Sequence, residues 1–352
     1  MQKAANGAIL RCALGTLFAI LCASTAPAQQ APAAPSNPKA EDTFQQGVTY
    51  ANRHMDSQAL SAFRKADKQD GGQCAACQVA IMKYGLELRD WNSAKQAAQE
   101  EVANAHGDRD AALAHYDLGR VLFEEGQDKH KQEIFVQSHE EFAKAIGAVA
   151  NFPDAWFLDG RALAELNADD PAKAEFAQFL KIAPVNDIDR ERAQRYLSNI
   201  GLARERMAPA FEVTAMNGQR VSLDDFSGKV VLLDFWATWC EPCREALPNI
   251  ERIAQEFKGR PLVILSVSLD PDPQKWKDFV AKNHMTWLQY RDGYFNGPIS
   301  RLFGVDAIPH TFTVDADGVL RDERIGEVSI EGRLKKLVAQ AETEKPEQHQ
   351  AQ

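Results

Sequence analysis

The chain has 352 residues, of which 45% are hydrophobic and 26% charged, and this composition is typical of a globular protein. Its length predicts two domains, because single hydrophobic cores stop growing beyond roughly 250–300 residues. The 50 acidic and 40 basic residues give a net charge of −10, which argues against general binding to nucleic acid or to an anionic membrane surface. Nucleic acid is therefore not among the expected partners.

The first 28 residues have the pattern of a cleaved signal peptide. Lys3 and Arg11 precede an apolar run over 12–23, and Ala26-Pro27-Ala28 supplies the small residues of a cleavage site. An uncleaved membrane anchor is the alternative, although the apolar run is short for a membrane span. The sequence thus predicts an exported protein, periplasmic or otherwise extracytoplasmic, whose mature chain begins after residue 28.

Cleavage leaves four of the six cysteines, arranged as two Cys-x-x-Cys pairs. The cysteines removed are Cys12 and Cys22, and the pairs that remain are Cys74 with Cys77 and Cys240 with Cys243. A mature chain whose only cysteines form two such pairs belongs in a compartment where disulfides persist.

Residues 29–40 are rich in Ala, Pro and Gln and predict a flexible leader, whereas 41–205 predict an all-helical domain. Two sets of residues in that domain recur at the same internal offsets. The first set is Gly47, Tyr50, Ala59, Phe63 and Ala66; the second is Trp156, Gly160, Leu163, Ala172, Phe176, Phe179 and Pro184. A third copy contains Gly119 and Phe142 and predicts a loop stretched by 125–135, and a weaker copy covers 74–107.

This pattern resembles the tetratricopeptide repeat, which has a small residue where two helices cross and Ala and Phe on the second helix. The resemblance implies stacked helix pairs with a concave groove, so we expect peptide or protein docking on the helical repeats. Residues 189–204 would form a polar capping helix at the end of the stack. A helical bundle without repeats is the alternative.

Strands alternate with helices after Met207. A hairpin is predicted over 211–223, with Asn217-Gly218 as its turn. The further elements are a strand at 229–236, a helix at 241–257, a strand at 261–268, a helix near 273–283, strands at 310–314 and near 319–325, and a final amphipathic helix. This order predicts an α/β domain over 206–342, with a central mixed sheet and helices on both faces, followed by a disordered tail over 343–352.

The sequence Trp-Cys-Glu-Pro-Cys at 239–243 follows the strand predicted at 229–236, and Ile308-Pro309 lies near the far end of the domain. The strand delivers Cys240 to a helix N-terminus, where free amides and the helix dipole lower a thiol's pKa. A Cys-x-x-Cys alone is a weak signal, but this combination predicts thiol–disulfide exchange. The Cys240 thiolate would attack a substrate disulfide and Cys243 would resolve the mixed disulfide. No cofactor is implied beyond the disulfide itself, and no metal.

These motifs resemble the thioredoxin-fold domain of the TlpA/ResA type, the extracytoplasmic thiol–disulfide oxidoreductases. The matching residues are Trp236, Trp239, Cys240, Pro242, Cys243, Pro248 and Ile308-Pro309. The resemblance implies that Pro309 is cis and packs beside the disulfide, where its neighbours pair with the substrate backbone. It also implies that Asp234 is the buried acid that accepts the proton of Cys243, with a surface Asp at a strand end as the alternative.

The chain departs from this family at Ala246, where many members carry a Glu. Glu245 would point about 100° away around the helix and cannot replace it, so proton transfer depends on Asp234. Glu241 between the cysteines opposes thiolate formation and makes the disulfide relatively more stable, which predicts a reductase rather than a strong oxidant.

Residues beside the cysteines are predicted to contact the substrate. They are Trp239, Glu241, Pro242, Ile308 and His310. Trp239 would shield the thiols and offer a flat apolar surface. For His310 two interpretations are open: it tunes the site, or it is a solvent-facing loop residue.

The pair Cys74/Cys77 has three interpretations: a second disulfide or thiol pair that braces a helix start, a second redox couple, and a zinc site, in that order. We predict an exported thiol–disulfide oxidoreductase that acts on protein thiols and disulfides, with a membrane or exported electron donor as a further candidate partner. A repeat-based scaffold with a non-catalytic thioredoxin-like domain is the alternative. Peroxidase chemistry ranks behind both, although Thr238 precedes Cys240 as that chemistry would require.

Overall fold

The computed structural model describes residues 32–326 and 329–343. The predicted signal peptide over 1–28 and all but the first residue of the predicted tail over 343–352 lie outside these residues. The chain divides after Ala203 into two compact units, a helical unit and an α/β unit. Among the described helices, none is both long enough and apolar enough to cross a bilayer.

The helical unit consists, over its described residues, of consecutive helices that pack mainly against their neighbours in the chain. They are α1 Pro38–Asn52, α2 Asp56–Gln69, α3 Ala75–Glu87, α4 Trp91–Asn104, α5 Gly107–Lys129, α6 Gln132–Ala148, α7 Pro153–Glu165, α8 Asp169–Ile182 and α9 Arg190–Ser198. A 3₁₀ turn over Ile200–Arg204 follows α9. The prediction of an all-helical region is confirmed.

Three helix pairs cross where a glycine of the first helix meets a phenylalanine of the second. The pairs are Gly47 with Phe63, Gly119 with Phe142, and Gly160 with Phe176. A methyl group at any of these glycines would lie 2.6–2.8 Å from a ring carbon, closer than van der Waals contact allows. The prediction of a small residue at these crossings is confirmed, and it explains why the two distant copies share their spacing.

The prediction of a stretched loop over 125–135 is wrong. Helix α5 continues to Lys129 and α6 begins at Gln132, so the extra residues lengthen both helices. A methyl group at Gly126 would lie 2.9 Å from the Phe135 ring, so the same type of contact is repeated further along this helix pair. Most of the hydrophilic residues that predicted a loop are exposed on the two helices and on their short connection, whereas Glu125 is buried and pairs with Lys95 and Lys129.

Helix α1 begins at Pro38, inside the segment that composition predicts to be a flexible leader. Asn37 caps it by accepting a hydrogen bond from the amide of Lys39. The carboxylate of Asp70 accepts bonds from the amides of Ser36 and Asn37 at 3.0 and 2.9 Å. The side chain of Asp70, the residue that follows α2, therefore anchors the end of the leader.

The α/β unit contains a two-stranded hairpin and a five-stranded sheet. The hairpin pairs β1 Glu212–Thr214 with β2 Arg220–Ser222. The sheet has the order β5-β4-β3-β6-β7, formed by β3 Val230–Trp236, β4 Leu262–Ser268, β5 Leu288–Arg291, β6 His310–Val314 and β7 Leu320–Ile325. Strands β3, β4 and β5 run parallel, whereas β6 is antiparallel to both β3 and β7. The predicted thioredoxin-like mixed sheet is confirmed.

Helices lie on both faces of the sheet: α10 Glu241–Glu256, α11 Pro273–Lys282, α12 Pro298–Leu302 and α13 Glu331–Thr343. Strand β3 is buried along its whole length. Val230 and Leu232 pack in one cluster with Ile250 and Ile253 of α10, and the alternate residues pack in another cluster on the opposite face. Burial on both faces explains the continuous apolar run that predicted this strand.

Strand β5 and helix α12 have no counterpart in the sequence-based prediction. Both are short, with four and five residues. They lie in a segment where aromatic, charged and glycine residues alternate without a helical or strand period, so periodicity gives no signal there.

Candidate active site

Cys240 and Cys243 form a disulfide at the start of α10, directly after the central strand β3. Cys240 is the N-cap residue, and its sulfur accepts a hydrogen bond from the amide of Cys243 at 3.3 Å. Pro242 occupies the second helical position, where its missing N–H leaves no unpaired donor. Both cysteines are nearly buried, so the site is a disulfide held at a helix N-terminus with little open access.

The loop before β6 brings a second segment to this disulfide. The peptide bond between Ile308 and Pro309 is cis, as the family resemblance implies. The carbonyl oxygen of Ile308 lies 3.8 Å from Sγ of Cys240. The pairing of β6 beside β3 places this loop there, because His310, the next residue, is opposite Phe235 near the end of β3. The structure thus brings together Cys240, Cys243 and Pro309 as predicted.

Asp270 holds the loop between β3 and α10, and the sequence analysis did not identify it. Its carboxylate accepts hydrogen bonds from the amide of Thr238 at 3.0 Å and from its hydroxyl at 2.5 Å. Ser268 donates to the same carboxylate at 2.7 Å. An Asp two residues after a buried strand was the available signal, because the carboxyl ends of parallel neighbouring strands meet at one edge of a sheet.

Arg244 holds the same loop from the helix side. Its guanidinium donates to the carbonyl of Thr238 at 3.0 Å and lies 4.0 Å from the carboxylate of Glu241. The Glu241 side chain is 77% exposed. The acidic residue between the cysteines is therefore hydrated and close to a positive charge, and both reduce its effect on the thiols.

Asp234 lies buried in β3, on the face that also carries Val230 and Leu232 and that α10 covers. The hydroxyl of Ser266, its partner in β4, donates to the Asp234 carboxylate at 2.8 Å. Ser266 in turn accepts a bond from the indole N–H of Trp287 at 2.8 Å. Burial raises the pKa of Asp234 to about 6, and the Ser266 bond acts in the opposite direction. The interpretation as a surface Asp is wrong.

Asp234 lies toward the end of the strand from which the chain enters the active-site helix. It is near the carboxyl end of β3, and α10 returns antiparallel over that face after a short connection. The first turns of the helix, with Cys243, therefore lie toward the same end of the strand.

The predictions for His310 require correction. Its side chain is 1% exposed, so it is neither a solvent-facing loop residue nor able to contact a substrate in this conformation. It is the first residue of β6, stacks on Phe312 with ring centroids 4.5 Å apart, and places Nε2 3.2 Å from Oε1 of Glu323. Burial lowers the pKa of His310, against the opposing effect of Glu323. The residue packs the sheet behind the cis-proline.

Trp239 is 48% exposed beside the disulfide and contacts two aromatic residues of another loop, Tyr294 and Phe295. Pro242 is exposed and Ile308 is half-buried. With Glu241 they form the accessible border of the site, in the positions predicted for substrate contact. Tyr294 and Phe295 were not predicted, because the loop that carries them has no motif.

The second cysteine pair also forms a disulfide, at the start of α3, with Cys74 as the N-cap residue. Both cysteines are fully buried. Because the sulfurs are bonded to each other, they are not available as zinc ligands. Over residues 32–326 and 329–343, no group of three or more His, Cys, Asp or Glu side chains is arranged to hold a metal ion. A disulfide is what the first two interpretations require, a local brace and a second redox couple, and its full burial favours the brace as the proposal.

Comparisons with known proteins place relatives on the α/β unit. The model of the AhpC/TSA family matches residues 205–323. The chain is 33% identical over 133 residues to the thiol-disulfide oxidoreductase ResA of Bacillus thuringiensis, a match that covers 37% of this chain and 76% of that protein. It is 30% identical over 138 residues to the thioredoxin-like protein YneN of Bacillus subtilis, covering 39% and 81%.

The chain aligns with a putative thiol:disulfide interchange protein DsbE from Chlorobium tepidum at 29% identity and a TM-score of 0.35, covering 39% of this chain and 96% of that one.

Proposed function

The chain belongs to the family of the thiol-disulfide oxidoreductase ResA, and on this premise we propose that it is an exported reductase that exchanges disulfides with protein substrates through Cys240 and Cys243. The observation that carries this proposal is the disulfide at the start of α10 beside the cis peptide bond of Ile308 and Pro309. A domain that only contacts partners has no chemical need for that arrangement. The function requires no cofactor other than the disulfide.

The reaction begins from the dithiol form. The Cys240 thiolate attacks one sulfur of a substrate disulfide, forms a mixed disulfide and releases the other substrate sulfur as a thiolate, which takes up a proton. The amide of Cys243 donates to Sγ of Cys240 in the structure and would stabilise its negative charge in the dithiol form. The half-buried Ile308 and its carbonyl lie where an extended substrate segment would pass.

Asp234 would serve the second step. Cys243 must lose its proton before it displaces the substrate sulfur from Cys240 and restores the enzyme disulfide. A carboxylate whose pKa is about 6 is ionised at neutral pH and basic enough to accept that proton. The reduced substrate leaves with both sulfurs as thiols, and an exported or membrane electron donor would return the enzyme to its dithiol form.

The direction of the reaction rests on the reduction potential. Glu241 favours the disulfide form and hence a reductase, and its distance of 4.0 Å from Arg244 weakens the effect without cancelling it. We expect a potential of the Cys240/Cys243 couple below that of the strong oxidant DsbA, which is about −120 mV. Equilibration with glutathione measures it, and a potential as high as that of DsbA would exclude the reductase.

The helical unit would recruit the partner. We propose that residues 41–205 form tetratricopeptide-like repeats that dock a peptide or protein, and that residues 206–342 form the catalytic domain. The repeated glycine–phenylalanine crossings support the repeats. Export through the signal peptide predicted at 1–28, to the periplasm or an equivalent compartment, agrees with two disulfides in the chain.

A trapping experiment tests the function. In the full chain with Cys243→Ser, Cys240 can still attack a substrate disulfide, but no thiol remains at position 243 to displace the substrate. Substrates should therefore stay bound to Cys240 through a disulfide that dithiothreitol breaks. Cys77→Ser is the matched control, because it opens the other Cys-x-x-Cys pair in the same way. Mixed disulfides on Cys240, identified by mass spectrometry in the first variant and absent from Cys240 in the control, support the proposal. If the wild type also fails to reduce insulin, the scaffold alternative replaces the enzyme.

Thr238, the residue that supported the peroxidase alternative, has another role in the structure. Thr238 donates its hydroxyl to Asp270 at 2.5 Å and is committed to holding the loop. Cys240 is paired with a cysteine three residues away.

A further inference from the structure

Three aromatic side chains form a continuous surface beside the disulfide, which we name the aromatic shelf: Trp239, Tyr294 and Phe295. Ring centroids are 6.4 Å apart between Trp239 and each of the other two, and 5.3 Å apart between Tyr294 and Phe295. Trp239 and Tyr294 are 48% and 46% exposed, although large aromatic side chains are normally more buried. The shelf therefore presents apolar area to solvent next to the attacking sulfur.

The loop that carries Tyr294 and Phe295 is held at both ends. At its start, the amides of Asp292 and Gly293 donate to the carbonyl of Ser268 at 2.8 and 3.3 Å. The carboxylate of Asp292 accepts bonds from the amides of Ile299 and Ser300, at 3.2 and 2.7 Å, and so caps α12. The shelf is thus fixed before any partner arrives, and binding to it costs little ordering.

Gly297 is required for this loop. A methyl group at that position would lie 2.2 Å from the Asp292 carboxylate. The close approach brings the capping carboxylate to α12 and turns the chain so that Tyr294 and Phe295 face Trp239. A loop built this tightly around exposed rings indicates that their position matters.

We propose that the aromatic shelf binds an aromatic or large aliphatic side chain next to the substrate cysteine, so that the enzyme prefers disulfides flanked by apolar residues. The geometry indicates which part of the substrate reaches the shelf. The substrate sulfur must reach Cys240, and Trp239 directly precedes Cys240 in the chain. A substrate segment leaving that sulfur on the Trp239 side therefore crosses the shelf. This inference rests on the proposed function and adds the class of substrate.

The test compares two synthetic peptides of identical sequence except for Phe or Ser next to a single cysteine, each joined to glutathione by a disulfide. The reduced full chain is mixed with each peptide in excess. In one turnover the two enzyme thiols become the Cys240–Cys243 disulfide, and the probe is released as peptide thiol and glutathione. The second-order rate constants are compared for the wild type, Tyr294→Ala and Tyr294→Phe.

Tyr294 suits this substitution because its exposed ring is not needed for the core. We expect the wild type to react about threefold to tenfold faster with the Phe peptide, as stacking on aromatic rings would give. Tyr294→Ala should reduce that ratio toward one by lowering the rate for the Phe peptide more than the rate for the Ser peptide. Tyr294→Phe should keep the ratio. Met216→Ala is the control, because Met216 is a comparably exposed apolar residue that belongs to the β1–β2 turn and not to the shelf.

An unchanged Phe-to-Ser ratio in Tyr294→Ala would overturn the inference, as would an equal loss in Met216→Ala. If the wild type reduces both peptides at the same rate, the substrate-binding role of the aromatic shelf is refuted and the proposed function is not. A wild type that reduces neither peptide would refute the proposed function itself.

Discussion

The two Cys-x-x-Cys disulfides of this chain have the same local structure in different surroundings. Each first cysteine is the N-cap residue of a helix and accepts a hydrogen bond from the amide of the second, at 3.1 Å in the helical unit and 3.3 Å in the α/β unit. The Cα atoms are 5.2 and 5.3 Å apart. The local geometry of the cysteines therefore does not distinguish the two disulfides, and any difference in function has to come from their surroundings.

The difference lies in what reaches the helix start. Two residues after Cys74, the amide of Ala76 donates to the carbonyl of Ala33, so the end of the leader is bound at this turn. The equivalent residue after Cys240 is Pro242, which has no amide to donate and is exposed. The first disulfide is covered by its own chain, whereas the second borders Trp239 and Ile308.

Both pairs also have a buried Asp with a raised pKa nearby. Burial raises the pKa of Asp67 to about 7, with a further contribution from Glu100, and that of Asp234 to about 6. The Asp67 carboxylate, however, accepts a bond from the backbone of Cys74 and holds the turn. A raised pKa therefore does not distinguish the two acids, and the proton-transfer role proposed for Asp234 rests on the accessible border of Cys240, which the fully buried Cys74 lacks.

The largest expected effect is the difference in turnover between variants that remove one disulfide and variants that remove the other. Cys240→Ser should abolish insulin reduction, because it removes both the sulfur that attacks the substrate and the partner of Cys243 in the enzyme disulfide. The double variant Cys74→Ser, Cys77→Ser should keep turnover within about twofold of the wild type. It should lower the stability of the helical unit by about 2 kcal/mol, the contribution expected from closing so small a loop.

Turnover and urea unfolding, followed by circular dichroism at 222 nm, measure both quantities. A double variant that loses most of its turnover while remaining folded would show that Cys74 and Cys77 pass electrons, and the second redox interpretation would replace the structural one.

The next effect concerns the two buried carboxyl groups. The folded chain holds the proton of Asp234 up to about pH 6, whereas the unfolded chain releases it near the ordinary value of 3.8. Folding stability therefore falls as pH rises from 3.8 to 6 and stays lower above that range. Two pKa units correspond to about 3 kcal/mol, so Asp234→Asn should stabilise the oxidised chain by up to about that amount at pH 8 and hardly at all below pH 4.

Asp234→Asn should at the same time slow turnover at neutral pH, because Cys243 loses its proton acceptor. Asp67→Asn is the matched control, since it removes the acid beside the other disulfide and should leave turnover unchanged. Equal turnover in wild type and Asp234→Asn across pH 5–8 would remove Asp234 from the mechanism. Urea unfolding at several pH values and initial rates of insulin reduction give the two measurements.

The sequence predicts this site well where local pattern and geometry coincide. The apolar run of β3 and the proline at 309 each identify their element without tertiary information, and the structure places them together. Asp270 and Ser266 escape prediction because their roles arise from strand pairing between distant segments. The burial of His310 has the same cause, since only the pairing of β6 between β3 and β7 encloses that side chain.

The smallest effect tests how Asp234 is tuned. The Ser266 hydroxyl donates to the Asp234 carboxylate and stabilises its ionised form, so Ser266→Ala should raise the pKa of Asp234 further. One hydrogen bond contributes about 1 kcal/mol, which limits the change to less than about one pKa unit. The acidic limb of the pH–rate profile for resolution of the mixed disulfide should move to higher pH by that amount.

Trp287→Phe is the matched control for this shift. It removes the indole donor to Ser266 but keeps the hydrogen bond between Ser266 and Asp234. The acidic limb of the pH–rate profile should therefore move less than in Ser266→Ala. Stopped-flow measurement of thiol release after mixed-disulfide formation, between pH 5 and 8, resolves the two profiles. A purely structural role of Ser266 would lower the rate at every pH without moving the limb. That result would assign the raised pKa of Asp234 to burial alone. The Cys240–Cys243 disulfide would then differ from the Cys74–Cys77 disulfide only in how easily a substrate can reach it.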